Sequence, residues 1–292
     1  MTLAKVYCYC GRDFTQNEID IIRKIVSDDP VRTRSKISKR VCQALGWVKP
    51  NGGLKDMSCR VAMLRMYKDG LISLPPARNT AANRKYCRIE NTPDTAPGSA
   101  ISEPAGKLKK LELRQVASQK QSRLWNEYIH RYHYLGFKPL PGAQLRYFVY
   151  SGNFTIALLG FGAAAWKVAP RDQFVGWSPK QRKQKLHLIV NNARFLILPW
   201  INSKNLASKI LSMASKQLPK DWLEKYNYQP LLLETFVQKD RFEGTCYKAA
   251  NWVYVGTTKG RGKLDRQNKA RLPQKNIWLY PLCKKFKKLL CY

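Results

Sequence analysis

Apolar positions recur at helical spacing through the N-terminal part of the chain. Ile19, Ile22 and Ile25 share one side of residues 17–26. Over residues 31–47, Ile37, Val41 and Leu45 recur at i, i+4 and i+8 among Arg34, Lys36, Lys39 and Arg40, with Ser35 suited to cap the helix. After the turn signal Pro50-Asn51-Gly52-Gly53, a third helix is expected to bury Met57, Val61 and Leu64 and to leave Lys55, Ser58 and Arg60 off that stripe. Leu71 to Leu74 reads as a short strand stopped by Pro75 and Pro76. This order predicts a winged-helix or helix-turn-helix domain over residues 1–78. Its third helix would enter a major groove and bring Lys55, Ser58 and Arg60 to bases or phosphates. A small helical bundle with a solvated basic face has the same pattern.

Between residues 79 and 107 the periodicity stops and Asn, Thr, Ala, Pro, Gly and Ser dominate, which predicts a linker. A helix is expected from Leu108 to about Tyr134, then a hairpin of Leu145–Tyr150 and Phe154–Phe161 around Ser151-Gly152-Asn153. The stretch from Ala169 to Lys185, with Arg171, Asp172, Trp177 and Ser178, reads as a loop. A strand over 193–198 leads to a helix through Leu206, Ile210, Met213 and Ala214, and the unbroken apolar run before Glu234 predicts that 231–237 is a strand buried on both faces. A short helix at 245–251 and a strand at 252–256 complete an α/β (α+β) domain over residues 108–262, with a basic segment, 263–292, expected as an arm.

Charge adds a partner to this picture. The 292 residues include 53 Lys and Arg against 19 acidic residues, a formal net charge of +34 spread along the chain. A polyanion, DNA first, is the expected partner. No apolar run has the length of a membrane span and the N-terminus lacks a signal-peptide core, so a cytoplasmic protein without membrane contact is expected. The eight cysteines form no C-x-x-C pair, which supports neither a disulfide framework nor a zinc ribbon, although Cys8 and Cys10 with distant ligands could make a metal site. His130 and His133, three apart, could also share a metal, but stacking or hydrogen bonding is the simpler role. No metal ligands are assigned.

The stretch LLLETFVQKDRFEGTCYKAANWVYVGTTKGRGK, from Leu231, concentrates reactive groups next to a buried strand. A carboxylate there, Glu234, must be paired, protonated or catalytic, and Arg194 on a neighbouring strand is its natural ion-pair partner. Cys246 is a nucleophile if its pKa is lowered and a small apolar residue otherwise. Tyr247, Thr235, Asn192, Arg194 and Asp172 complete the polar candidates. Arg261 and Lys263, within Gly260-Arg261-Gly262-Lys263, suit a phosphate or a plain basic turn. Trp166, Trp177, Trp200 and Trp252 lie among basic residues, where stacking on unpaired bases competes with core packing.

Two resemblances sharpen these readings. PWINSKNLASKILSMA is similar to the acyl-CoA loop and helix of the N-acetyltransferase (GNAT) superfamily, with Asn202 at the first cradle position, Asn205 where the first glycine stands and Ala207 at the last. In that resemblance Tyr247 takes the place of a tyrosine that protonates a leaving thiolate, and Asn205 narrows the cradle. RSKISKRVCQALGWVKPNGGLKDMSCRVAMLRMYKDGLISLPP, HYLGF, QLRYFVYSG, RDQFVGWS, NNARFLILPW and LETFVQKDRFEGTCYKAANWVYVGTTKGRG together resemble the DruA family across almost the whole chain. That family comprises subunits of the Druantia anti-phage defence system, with similar proteins near mobile elements. The resemblance implies a defence or mobile-element role, with other defence-system subunits as candidate partners.

The expected protein therefore binds DNA in defence and acts on or senses nucleic acid through its α/β domain. An acyltransferase-like enzyme that modifies DNA, with Glu234 as base and Tyr247 as acid, is the first alternative. A metal-dependent nuclease built on Asp172 and Glu234 is the second. No cofactor is fixed by the sequence.

Overall fold

The computed structural model describes residues 6–28, 33–77, 89–262, 265, 267 and 269–292. The chain divides into two compact units, Met1–Cys87 and Arg88–Tyr292.

In the first unit a hairpin of β1 (Tyr7–Tyr9) and β2 (Arg12–Phe14) precedes α1 (Gln16–Ser27), α2 (Arg34–Ala44) and α3 (Asp56–Lys68). Thr15 and Glu18 start α1 with a reciprocal capping box, and Glu18 also holds Arg12 at 2.7 Å. Phe14, Ile19, Ile22, Ile37, Val41 and Met63 fill the core.

Helix α3 presents the opposite face to the one expected. Cys59, Ala62, Met63 and Met66 are buried, while Met57, Val61 and Leu64 are exposed. Both sets have helical spacing, but the buried one covers i, i+3, i+4 and i+7 and so forms the wider stripe. Leu71 to Leu74 adopts no strand, and Ile72 is the residue of that run buried in the core. Residues 45–55, bridged at Val48 and Leu54, join α2 to α3 by a longer path than a helix-turn-helix turn. Among the described residues no wing strand follows α3.

The second unit is a seven-stranded sheet in the order β3-β4-β5-β6-β7-β9-β8. Its strands are β3 (Leu111–Gln115), β4 (Leu145–Ser151), β5 (Phe154–Ala163), β6 (Ile189–Ile197), β7 (Leu232–Gln238), β8 (Val253–Thr257) and β9 (Lys275–Pro281). The fold is a mixed α/β sheet: every pairing is antiparallel except β6 with β7. Adjacent residues of β4 show which helix covers which face. Arg146 reaches Ser122 and Asn126 of α4 (Gln119–Tyr132), whereas Tyr147 reaches Asp221 of α7 (Leu206–Tyr226). Successive side chains alternate, so α4 and α7 lie on opposite faces. Gly160 lets α4 approach closely: a Cβ there would stand 3.0 Å from the Trp125 ring.

Four expectations change here. The helix expected from Leu108 is instead β3 followed by α4, because Ser118 and Gln121 form a capping box that begins the helix later. The expected linker is docked over residues 89–106: Glu127 accepts hydrogen bonds from the Thr92 amide and from the Thr92 and Thr95 hydroxyls, and Tyr132 donates to the Thr95 carbonyl. Polar groups satisfy that segment without apolar periodicity. The expected basic arm contributes β9, an interior strand between β7 and β8, and α9 (Phe286–Cys291). The expected loop at 169–185 forms α5 (Ala169–Val175) and α6 (Pro179–Lys185). No helix among the described residues is long and apolar enough to cross a membrane.

Candidate active site and anion cavity

Strands β6 and β7 pair only from Ile189 with Leu232 to Asn192 with Thr235 and then part. A cavity of about 780 Å³ opens where they diverge. Tyr132 to Leu135 at the end of α4, the second half of β6, Ala207 on α7 and Gly244 to Tyr247 line it.

Tyr247 lies on α8 (Thr245–Ala249), whose entry depends on Gly244 at φ +79°. A Cβ at Gly244 would come within 2.7 Å of Trp278 Nε1, so the turn has no room for a side chain. The Tyr247 hydroxyl donates to Asn192 Oδ1 at 3.0 Å, and the Thr235 hydroxyl donates to the Asn192 carbonyl at 3.1 Å. Burial raises the Tyr247 phenol well above its ordinary pKa and keeps its proton in place. The phenol therefore keeps its proton for hydrogen bonding, is no base in that form, and is a weaker acid than a free tyrosine. Cys246, next to it, is also raised by burial and stands as a thiol, not as the activated nucleophile the sequence allowed.

The cavity lining carries three cations, Arg194, Arg241 and Lys275, and one acid, Glu243. Arg194 gives one Nη1 hydrogen bond to the Ala193 carbonyl at 2.7 Å, while its Nε is buried without a partner. Arg241 lies over the Tyr134 ring at 4.9 Å, and Lys275 joins from β9. Among the described residues none of the three is in an ion pair. Burial lowers the pKa of Arg194, and burial together with Arg194 lowers that of Lys275. Both shifts mean that the charged forms lack compensation. His133 accepts the Leu135 amide at Nδ1 and stacks on Tyr134, the ordinary role expected of it; burial and then Arg194 depress its pKa to about 4. The arrangement favours an anion, with aromatic rings at hand for a flat group.

A family model described as Druantia protein DruA matches residues 65–271. The chain belongs to the DruA family. The matched range holds Asn192, Arg194, Thr235 and Tyr247, and Lys275 lies just beyond it. No curated protein matches this DruA-family chain. Among solved structures it is similar to a point mutant of the SpeG spermidine N-acetyltransferase from Vibrio cholerae, at 13% identity over 60% of this chain and 95% of that one, TM-score 0.39. It is similar also to a Bacillus subtilis acetyltransferase in complex with CoA, at 7% identity over 60% and 100% of the two chains, TM-score 0.35. A GNAT-family acetyltransferase from Streptococcus pneumoniae gives 11% identity over 59% and 99%, TM-score 0.38.

In this DruA-family chain the loop before α7 does not act as one cradle. Ala207 lines the large cavity, whereas Asn205, at φ +65°, lines a separate one of about 330 Å³ with Ser208 and Lys209. The Asn202 amide is already bonded to the Ile101 carbonyl at 2.8 Å, and Ile101 pairs with Ile201 as a parallel bridge. The docked segment around residues 101–105 therefore occupies a donor that a free phosphate loop would offer.

Glu234 and Asp172 stand outside the cavity, contrary to the catalytic pairing expected of them. Both carboxylates converge on Arg171, Glu234 Oε2 at 2.8 Å from Nη1 and Asp172 Oδ1 at 2.8 Å from Nη2. Arg171, not Arg194, is the partner of Glu234; desolvation still raises the Glu234 pKa against that attraction. A guanidinium at the point where the carboxylates meet leaves no cation-binding donor set there, which removes the basis for a nuclease on this pair. No group of three or more potential metal ligands occurs among the described residues. In the sequence Arg171 sits beside Asp172, its obvious partner, which hides its pairing with Glu234; the adjacent charges of an otherwise uncharged helix are the signal of the network.

The remaining candidates are not among the residues that line the cavity. Lys55 and Ser58 belong to the first unit, as does Arg60, whose guanidinium is 3.8 Å from Asp56. Arg261 is exposed near Gly260, whose carbonyl accepts the Leu272 amide, and Lys263 falls outside the described residues.

Proposed function

We propose that this DruA-family chain is a DNA-binding protein of anti-phage defence whose α/β unit takes a phosphate-bearing part of the nucleic acid into the β6–β7 cavity. The observation that carries this reading is the set of Arg194, Arg241 and Lys275 at one cavity, three cations against the single acid Glu243 of the same lining and none of them in an ion pair among the described residues. A partly buried cation lacking a counterion is costly unless a ligand supplies one. The formal charge of +34 supports the same partner. Tyr132, Tyr134, Phe195 and Phe242 would pack against a base or sugar. Lys55, Ser58 and Arg60 would add duplex contacts from the first unit. Fluorescence polarisation with labelled duplex and single-stranded DNA across a salt series tests the reading. Affinity is expected to fall steeply with salt, and a flat response would contradict it.

A second reading, transfer of an acyl group to DNA, is favoured by one observation: the protonated Tyr247 hydroxyl and Ala207 of α7 border the same cavity. Release of free thiol from acyl-CoA donors, with a mass change on DNA and loss of both in Tyr247→Phe, would support it. No release from any donor would remove it.

A further inference from the structure

The buried charges opposite the cavity fix one short piece of backbone. Glu234 Oε1 accepts the Ala165 amide at 2.8 Å, and Arg171 Nη1 donates to the Ala165 carbonyl at 2.7 Å. Asp172 Oδ2 accepts the Val168 amide at 3.3 Å, and Asp172 Oδ1 accepts the Trp177 indole at 3.0 Å. Residues 165–168 are thus held on both sides of Trp166. Arg171 and Glu234 are fully buried, yet Trp166 between these anchors is 59% exposed. A large apolar ring normally moves out of water when it can. Here the backbone is bonded to an ion-pair network that removes that freedom.

The surroundings of Trp166 are cationic. Arg182 of α6 stands 5.8 Å from its ring centroid and bonds Asp172 at 3.2 Å. Lys167, Lys180 and Lys183 are exposed, as are Lys287 and Lys288 on α9. Helix α9 packs against α6 and α5: Gln181 donates to the Cys291 carbonyl, and Phe174 stacks on Phe286 at 6.0 Å. Neither α6 nor α9 contains a carboxylate, and the one acid of α5, Asp172, is engaged by Arg171 and Arg182. Among the four tryptophans of basic stretches, Trp177 and Trp252 are buried and Trp200 is half-buried, so Trp166 alone is free to stack.

We infer that this face is a second nucleic-acid site, for an unpaired strand, in which Trp166 stacks on a base beside Arg182 and the α6 and α9 lysines follow the phosphates. It rests on the nucleic-acid reading above but uses none of the cavity residues. A fixed, solvated ring beside a guanidinium is what a base plane needs, and preorganisation reduces the cost of ordering it. Glu234, Arg171 and Asp172 are then positioning residues.

The test uses the full chain and a fluorescent deoxythymidine homopolymer, with an abasic homopolymer of the same length as the second probe. Trp166→Ala should weaken thymidine binding roughly tenfold or more, the worth of one stacked base. It should leave abasic binding unchanged, and Trp166→Phe should keep most of the affinity. Lys183→Glu with Lys287→Glu should weaken both probes. Equal thymidine affinity for wild type and Trp166→Ala, or equal loss on both probes, would overturn the inference. So would Trp166-dependent capture by phosphatidylserine vesicles without Trp166-dependent thymidine binding. If the wild type binds no oligonucleotide, the cavity reading falls as well; if it binds and Trp166→Ala is silent, only this site falls.

Discussion

Glu234 and Thr235 are neighbours on one strand and face opposite sides of one sheet. Glu234 enters a site where each carboxylate oxygen has a partner, Arg171 on one and the Ala165 amide on the other. Thr235 faces the cavity where Asn192 and Tyr247 are hydrogen-bonded but Arg194 and Lys275, in a lining whose one acid is Glu243, are in no ion pair among the described residues. Buried charge that is fully paired has its explanation inside the fold. Charge left unpaired at a cavity has its explanation in a ligand, and this contrast separates architecture from site in a way residue type alone does not.

The largest effect is expected on the paired side. Glu234→Ala leaves Arg171 buried beside Asp172 alone and should cost about 3–5 kcal/mol, read as a fall in Tm, while Arg171→Met with Glu234→Leu should recover most of it. A loss below about 1 kcal/mol for Glu234→Ala would show that the pair does not hold this face. Gly244→Ala comes next: the left-handed φ and the Trp278 contact should cost about 1–3 kcal/mol and shift Tyr247. On the unpaired side, Arg194→Met should leave stability within about 1 kcal/mol of wild type, or raise it, while removing the thermal stabilisation that a polyphosphate gives the wild type. A strong destabilisation would make Arg194 structural and blur the contrast.

The last prediction concerns pH, with the histidine at the cavity wall. His133 titrates near 4 in the folded chain against an ordinary 6.5, so the unfolded state binds the extra proton between those values. Its contribution is complete above about 6.5 and is lost as pH falls towards 4. His133→Gln should flatten that part of the stability curve, measured by denaturant unfolding at stepped pH; an unchanged slope would assign the acid sensitivity elsewhere.

The segments whose pattern is local were legible. The hairpin at Gly152, the β7 strand and the helix carrying Tyr247 follow from turn chemistry and apolar runs. Helix α3 was readable as a helix but not in its orientation, because Met57, Val61 and Leu64 compete with Cys59, Ala62, Met63 and Met66 for the core. Strand β9 was hidden by its lysine-rich flanks and by the non-local pairing that inserts it between β7 and β8. The site was legible by type and not by face. Glu234, Asp172 and Tyr247 were all singled out, but which of them share a cavity depends on strand register, where one residue reverses the side.

The salt dependence of single-stranded DNA binding tests the central claim most directly, comparing wild type with the Arg194→Met, Arg241→Met, Lys275→Met triple variant. If the cavity cations each meet a phosphate, the slope of log affinity against log salt should shrink by roughly two, at about 0.7 per contact. An unchanged slope in a folded variant would contradict the cavity as the place where this protein holds nucleic acid.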